Sequence, residues 1–276
     1  MVALDRYPFV HHPCFAIRRE RLWSRIHLPV AAYCNVKCIF CNGHEGSSCH
    51  SSKPGYSSQL MSPETAIGRA KAELVNDPNL RIIAISGPGE PLANSETFET
   101  LQGILECEAD VHFCLSTNGL LLGEMLPKLL DMNLSSISVS MSGQSYAVAA
   151  RLYEWASIKG NSLRGLQMGK EIVSRQLRGI EQAADSGICV KVNTILIPEL
   201  NADDIEPLSR RISDSGAKLQ NIVPLIPYDT ASNLRAPSVG ELELARKAAS
   251  ENILQFTHCR QCRSDVVGIP GSDRVL

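Results

Sequence analysis

Short apolar or β-branched runs bounded by turn residues recur at Arg25–Ala31, Leu80–Ser86, Val111–Thr117, Ser135–Met141, Ile188–Ile197 and Ala217–Pro224, and each reads as a strand. Helical periodicity fills the intervals. Ser62-Pro63-Glu64 puts a capping hydroxyl before a proline at the first helical position and opens a helix to about Val75. Further helices are predicted over Ser95–Glu108, Leu122–Met132, Met168–Ser186, Asp203–Ser215 and Val239–Asn252, with Gly187 and Gly216 where C-terminal caps belong. Strand–helix alternation predicts an α/β fold with a parallel sheet and right-handed crossovers. Six such units are too few for a closed eight-stranded barrel, so an open, partial (β/α)6 barrel is expected. Its active face would lie at the C-terminal strand ends. The core runs over about residues 25–252, with extensions at 1–24 and 257–276. No repeat, low-complexity tract or linker divides the chain, so residues 1–276 read as one domain.

A length of 276 residues, 44% of them hydrophobic, gives ample chain for a sizeable core. The longest apolar runs, such as Ile82–Ile85 and Tyr146–Ala150, fall far short of the roughly 18 to 20 residues of a spanning helix. No membrane segment is expected. Lys plus Arg number 27 against 29 acidic residues, a balance that argues against a nucleic-acid partner. Met1–Pro13 has no apolar signal-peptide core, so a cytoplasmic chain is expected. Ten cysteines in such a chain point to metal ligation or catalysis rather than to disulfides.

The sharpest motif is Cys34-Asn-Val-Lys-Cys38-Ile-Phe-Cys41, a C-x3-C-x2-C spacing just after the first strand. Three thiolates on one short loop suit a [4Fe–4S] cluster with one iron left open to a small molecule. The alternative is zinc, but a structural zinc site prefers four closed ligands. Ser86-Gly87-Pro88-Gly89-Glu90-Pro91 follows at the next strand end, and Ser116-Thr117-Asn118-Gly119 at the third. Each alone reads as a tight turn. Their order on successive strand ends resembles the radical S-adenosylmethionine (SAM) superfamily. That resemblance implies that the open iron binds SAM, that Gly87, Gly89 and Glu90 meet its amino group, and that Ser116, Asn118 and Asn193 also belong to the SAM site.

Within that superfamily, His12-Pro13-Cys14, Ile26-His27-Leu28-Pro29-Val30-Ala31, Gly87–Asn94, Val190-Lys191-Val192-Asn193 and His258-Cys259-Arg260-Gln261-Cys262-Arg263 resemble the NifB family over about residues 11–273. The family makes the iron–sulfur precursor of the nitrogenase cofactor. The resemblance implies a lyase- or transferase-type enzyme that fuses two further [4Fe–4S] clusters around a SAM-derived carbide. One SAM would methylate a cluster sulfide, and a radical from a second would abstract hydrogen from that methyl. It also implies cluster delivery proteins, an electron donor and a downstream cofactor carrier or scaffold as partners. Cys14, His27 and Cys114 are assigned to one substrate cluster, and Cys49, Cys259 and Cys262 to the other. The pair Cys259 and Cys262 has a chelating spacing, and Cys114 shares a strand face with Ser116. Cys107 and Cys189 read as small buried hydrophobes, while His12 and His258 sit beside candidate ligands as possible donors to them.

The chain departs from the family at Lys53-Pro54-Gly55, where an arginine is usual, at Ser138–Gly143, and at Ile197–Asn201. Two other functions share parts of the pattern. A different radical SAM enzyme with auxiliary clusters would act on a peptide or small molecule. A non-enzymatic iron–sulfur scaffold would give no role to Glu90 or Asn118.

Overall fold

The computed structural model describes residues 5–41, 55–227 and 233–276. The six expected strands are all present: β1 (Ser24–His27), β3 (Leu80–Ile85), β4 (His112–Thr117), β5 (Ser136–Ser140), β8 (Cys189–Leu196) and β9 (Leu219–Pro224). They pair in parallel in the order β1-β3-β4-β5-β8-β9. The crossover helices are α1 (Pro63–Asn76), α2 (Ser95–Leu105), α3 (Leu122–Asp131), α5 (Gly165–Asp185) and α7 (Ile205–Asp214); a single turn, α6 (Pro198–Asn201), precedes α7, and α8 (Val239–Ser250) follows β9. Ser62 caps α1 through Thr65 N–H, and Gly187 and Gly216 take the left-handed conformation after α5 and α7.

The two sheet faces carry different chemistry. Ile83, Ile85, Phe113, Leu115, Ile137, Val139, Val190 and Val192 point outward into one buried cluster shared with the helices. The alternate positions include Cys114, Ser116, Ser138, Ser140, Lys191, Asn193 and Asn221, which line an inner cavity with residues of all six parallel strands. Laid flat, six strands at about 4.8 Å spacing would span about 24 Å between the outer two. Sharing one cavity therefore requires the sheet to curl around it.

Phe15 and Phe256, from the segments flanking the core, plug the inside of the curl against Ile82, Ala84, Cys114 and Leu219. Residues 5–24 are further anchored by a stack in which Trp23 lies between His11 and His112, with Tyr7 on His112. The C-terminal segment also joins the sheet: β10 (Val266–Gly268) pairs antiparallel with β1, and β11 (Arg274–Val275) with β10. This covers the edge that β1 would otherwise expose.

A second, three-stranded sheet has no counterpart among the expected elements. It joins β2 (Val36–Cys38), β6 (Tyr153–Ile158) and β7 (Asn161–Leu163), and a helix α4 (Tyr146–Leu152) runs straight into β6. No turn residue separates α4 from β6, which hides the boundary. Lys159-Gly160, both at positive φ, form the two-residue turn between β6 and β7.

Candidate functional site

A cavity of about 810 Å³ opens at the C-terminal ends of the parallel strands. The loop cysteines Cys34, Cys38 and Cys41 line it, as do Gly89, Glu90, Ser116, Asn118 and Asn193. Cys14, His27, Cys114, Cys259 and Cys262 line it too, together with Lys191 and Arg260. Gly87 does not reach the wall; at φ +146° it makes the bend that presents Pro88, Gly89 and Glu90. Cys49 lies outside the described residues, as do Lys53 and Pro54; the described chain resumes at Gly55, whose N–H meets the carbonyl of Cys262 at 3.0 Å. Cys107 and Cys189 are half-buried and outside the lining.

The cysteine loop is braced from two directions. β2 pairs with β6, setting Cys38 opposite Tyr153, and Cys34, Cys38 and Phe40 pack on an apolar cluster that includes Leu152 and Ile172. Burial above all, with neighbouring acidic groups adding, pushes the Cys34 thiol up to about 12 and the Cys38 thiol well above its usual value. Such thiols stay neutral until a bound cation replaces the proton, so metal loading there releases protons.

Hydrogen bonds wire the three strand-end motifs together. Gly89 N–H meets the Ala31 carbonyl at 2.6 Å, and Glu90 N–H meets that of Tyr33 at 2.9 Å. Asn94 holds both backbone groups of Tyr33, accepting at 3.0 Å and donating at 2.8 Å. Glu90 is buried, and its Oε1 accepts from Leu92 N–H and the Thr117 hydroxyl while Oε2 accepts from Asn118 N–H at 2.6 Å. Burial, against those three donors, lifts the Glu90 carboxyl to about 7. The Asn118 amide closes the ring by donating to Asn35 Oδ1 at 2.7 Å. Gln176 of α5 reaches the carbonyls of Asn118 and Ser140 at 2.8 and 2.9 Å.

Sequence reasoning missed Asn94 and Gln176. Asn94 stands where a helix cap belongs, yet its side chain caps nothing and holds Tyr33 instead. Gln176 had a visible signal: it is a polar residue on the apolar stripe of Ile172, Val173, Leu177 and Ile180.

The opposite wall gathers the remaining candidates. His27 Nδ1 lies 2.9 Å from the Arg263 carbonyl, which only accepts, so Nδ1 carries the proton and Nε2 the lone pair. Burial first, and then Arg25, push its pKa down to about 3 and keep that lone pair free, as a metal ligand requires. Burial and then Cys14 raise the Cys114 thiol to about 12. Burial likewise takes Cys262 to about 11, with Arg25 opposing and Cys14 adding. Cys14 packs on the same small cluster as Cys114 and Cys259. Gln261, at φ +48°, donates its N–H to Cys259 Sγ at 3.4 Å in the tight loop between the paired cysteines. Lys191 Nζ, between the rings of Phe15 and Phe256, donates to the Cys14 carbonyl at 2.9 Å. Arg263 is bound bidentately to Asp265 and so is not directed at the cavity.

Among the described residues no three His, Cys, Asp or Glu side chains converge on one metal ion. A cuboidal cluster places each thiolate on a different iron and needs no such convergence. The donor set of thiols, one lone-pair imidazole and buried cations therefore suits anionic iron–sulfur clusters.

Residues 28–212 match the Radical SAM superfamily. "FeMo cofactor biosynthesis protein NifB" of Klebsiella pneumoniae is 37% identical over 95% of this chain, which spans 58% of that relative's length. The protein of the same name from Methanocaldococcus infernus is 37% identical, with 94% of this chain and 85% of the relative covered. Among solved structures, Streptococcus suis SuiB bound to S-adenosylmethionine superposes with a TM-score of 0.62 at 12% identity, covering 84% of this chain and 50% of SuiB. anSMEcpe with bound AdoMet superposes with a TM-score of 0.53 at 20% identity, covering 74% and 51%. No helix among the described residues is long and apolar enough to cross a membrane. A cysteine loop, a buried Glu90 turn and a polar third strand end around one cavity are what the sequence matches lead one to look for, and the chain belongs to the NifB family of the radical SAM superfamily.

Proposed function

We propose that this chain acts in FeMo cofactor biosynthesis, the process named for its relatives, and that it fuses two [4Fe–4S] substrate clusters around a carbon taken from SAM. The observation that carries the reading is that one cavity faces the cysteine loop and Glu90 toward a second wall of Cys14, His27, Cys114, Cys259 and Cys262. A radical generated at the first wall then has an iron–sulfur substrate within the same enclosure.

Cys34, Cys38 and Cys41 would hold the resident cluster, which would supply the electron that cleaves SAM to methionine and a 5′-deoxyadenosyl radical. Glu90 accepts hydrogen bonds from the SAM ammonium, a charge-assisted contact. Ser116, Asn118 and Asn193 present polar groups to the ribose and carboxylate. Cys14, His27 and Cys114 take one substrate cluster, and Cys49, Cys259 and Cys262 the other. One SAM would give its methyl to a substrate sulfide, leaving S-adenosylhomocysteine, and the radical from a second would take a hydrogen atom from that methyl, leaving 5′-deoxyadenosine. The curled sheet and its Phe15–Phe256 plug exclude water from this chemistry. Cluster delivery proteins, an electron donor and a cofactor carrier complete the reading, in a reducing cytoplasm that keeps ten cysteines as thiols.

Anaerobic reconstitution tests it. About twelve irons per chain, three four-iron sites, are expected, with 5′-deoxyadenosine formed from SAM and methyl-labelled carbon recovered in an iron-bound product. Iron stopping at about four, one cluster's worth, with SAM still cleaved, would leave a radical SAM enzyme of another substrate class. Iron without 5′-deoxyadenosine would reduce the chain to a scaffold.

A further inference from the structure

His12 stands two residues before Cys14, lines the cavity and is 1% exposed. Its Nδ1 receives the backbone N–H of Cys14 at 3.0 Å. A backbone amide can only donate, so Nδ1 carries the lone pair and, in the neutral ring, the proton is on Nε2. Phe15 meets the ring edge-on at 4.8 Å between centroids, and Tyr7 flanks it at 6.0 Å, so its orientation is held. Nε2 is therefore a fixed N–H donor. It is buried and has no partner among the described residues.

A buried donor without an acceptor opposes folding by its lost hydration. A fold that nevertheless holds it rigidly in a cavity wall, two residues from a thiol, is prepared for an acceptor that arrives from the cavity. We infer that the His12 Nε2–H donates a hydrogen bond to a sulfur of the iron–sulfur substrate held at Cys14, which makes His12 a positioning residue that sets that cluster's potential. The inference rests on the proposed assignment of Cys14, His27 and Cys114 to one substrate cluster. Cluster sulfides and thiolates are anionic acceptors, and a hydrogen bond to them stabilises the more negative, reduced state and raises the potential. Because the other ring nitrogen holds the backbone N–H of Cys14, donor and ligand are fixed to one another.

Two variants separate this role from simple bracing of the Cys14 backbone. In His12→Asn the amide oxygen can replace Nδ1 and keep the Cys14 contact, but the distal donor is gone. In His12→Gln the amide nitrogen can reach the place of Nε2 and keep the donor. The full chain is reconstituted anaerobically, iron is counted, and the clusters are titrated electrochemically with electron paramagnetic resonance detection. The Cys14-dependent signal is identified as the one lost in Cys14→Ala. His12→Gln should hold the wild-type midpoint. His12→Asn should lower it by roughly tenfold in the reduced-to-oxidised ratio, or about 59 mV for a one-electron couple. Loss of that one cluster in His12→Asn but not in His12→Gln supports the inference equally. An unchanged midpoint in His12→Asn at full iron, or an equal shift in both variants, overturns it and leaves His12 a backbone brace. A wild-type chain that holds only about four irons and shows no Cys14-dependent signal overturns the cluster assignment itself, and the inference with it.

Discussion

Glu90 serves two opposed ends at a single residue. Its burial raises the carboxyl to about 7, and three donors from the protein hold it back from rising further. An unfolded glutamic acid titrates near 4.5. Between about pH 4.5 and about 7 the folded chain therefore binds more protons than the unfolded one, and this group's contribution to stability falls as pH rises through that window. Glu90→Gln should remove the fall, so urea unfolding of wild type and variant without iron should diverge in slope across that range. The same substitution deprives the SAM ammonium of a charged acceptor. Hydrogen bonds to charged groups contribute about 1.5–3 kcal/mol, so SAM binding to the reconstituted variant should weaken at least roughly tenfold in equilibrium dialysis. Wild-type affinity would remove Glu90 from the SAM site.

At the scale of elements, the site depends on how closely the loop after β1 lies on the turn after β3. A Cβ at Gly89 would strike the backbone carbonyls of Tyr33 and Ala31, whereas one at Gly87 meets nothing closer than 3.6 Å. Gly89→Ala must push the two loops apart. Overpacking of this kind costs about 1–3 kcal/mol, and the displaced cysteine loop should lose its iron. Iron counting and a thermal melt check both, and full iron in the variant would show that the loops move apart without consequence. Asn94→Leu removes the two-way hold on Tyr33 without adding a clash. It should lower loop iron with a smaller loss of stability.

For the molecule as a whole, the C-terminal strands both finish the sheet and neutralise a buried cation. Arg25 on β1 is fully buried, and its guanidinium donates to Asp273 at 2.8 Å and to the Gly268 carbonyl at 2.6 Å. Removing one partner of a buried pair costs about 3–5 kcal/mol, against about 0–1 kcal/mol for an exposed one. Asp273→Ala should thus destabilise the chain severely in urea unfolding, while Asp110→Ala, which breaks the exposed pair with Arg81, should scarcely register. Equal effects would mean that Arg25 is satisfied without Asp273. Much of the architecture was legible along the chain: six strands, their parallel helix-linked succession, and three site motifs on consecutive strand ends. Each of these is written in local periodicity and turn chemistry, because the face a residue presents follows from its own position in a strand or helix. The hairpin that braces Cys38 was not read, since α4 passes into β6 without a break. Neither were the holds of Asn94 on Tyr33, Gln176 on Asn118 and Asp273 on Arg25, whose partners stand 61, 58 and 248 residues apart. Local sequence dictates the six parallel strands, their crossover helices and the cysteine spacing. Which donors meet is set by packing across the fold. His27 is given its lone-pair imidazole by a carbonyl 236 residues away, and Cys14 packs with Cys114 and Cys259 because the sheet curls and both chain ends close inside it. Such encounters depend on strand pairing and curvature summed over the whole sheet, which no local window of sequence contains.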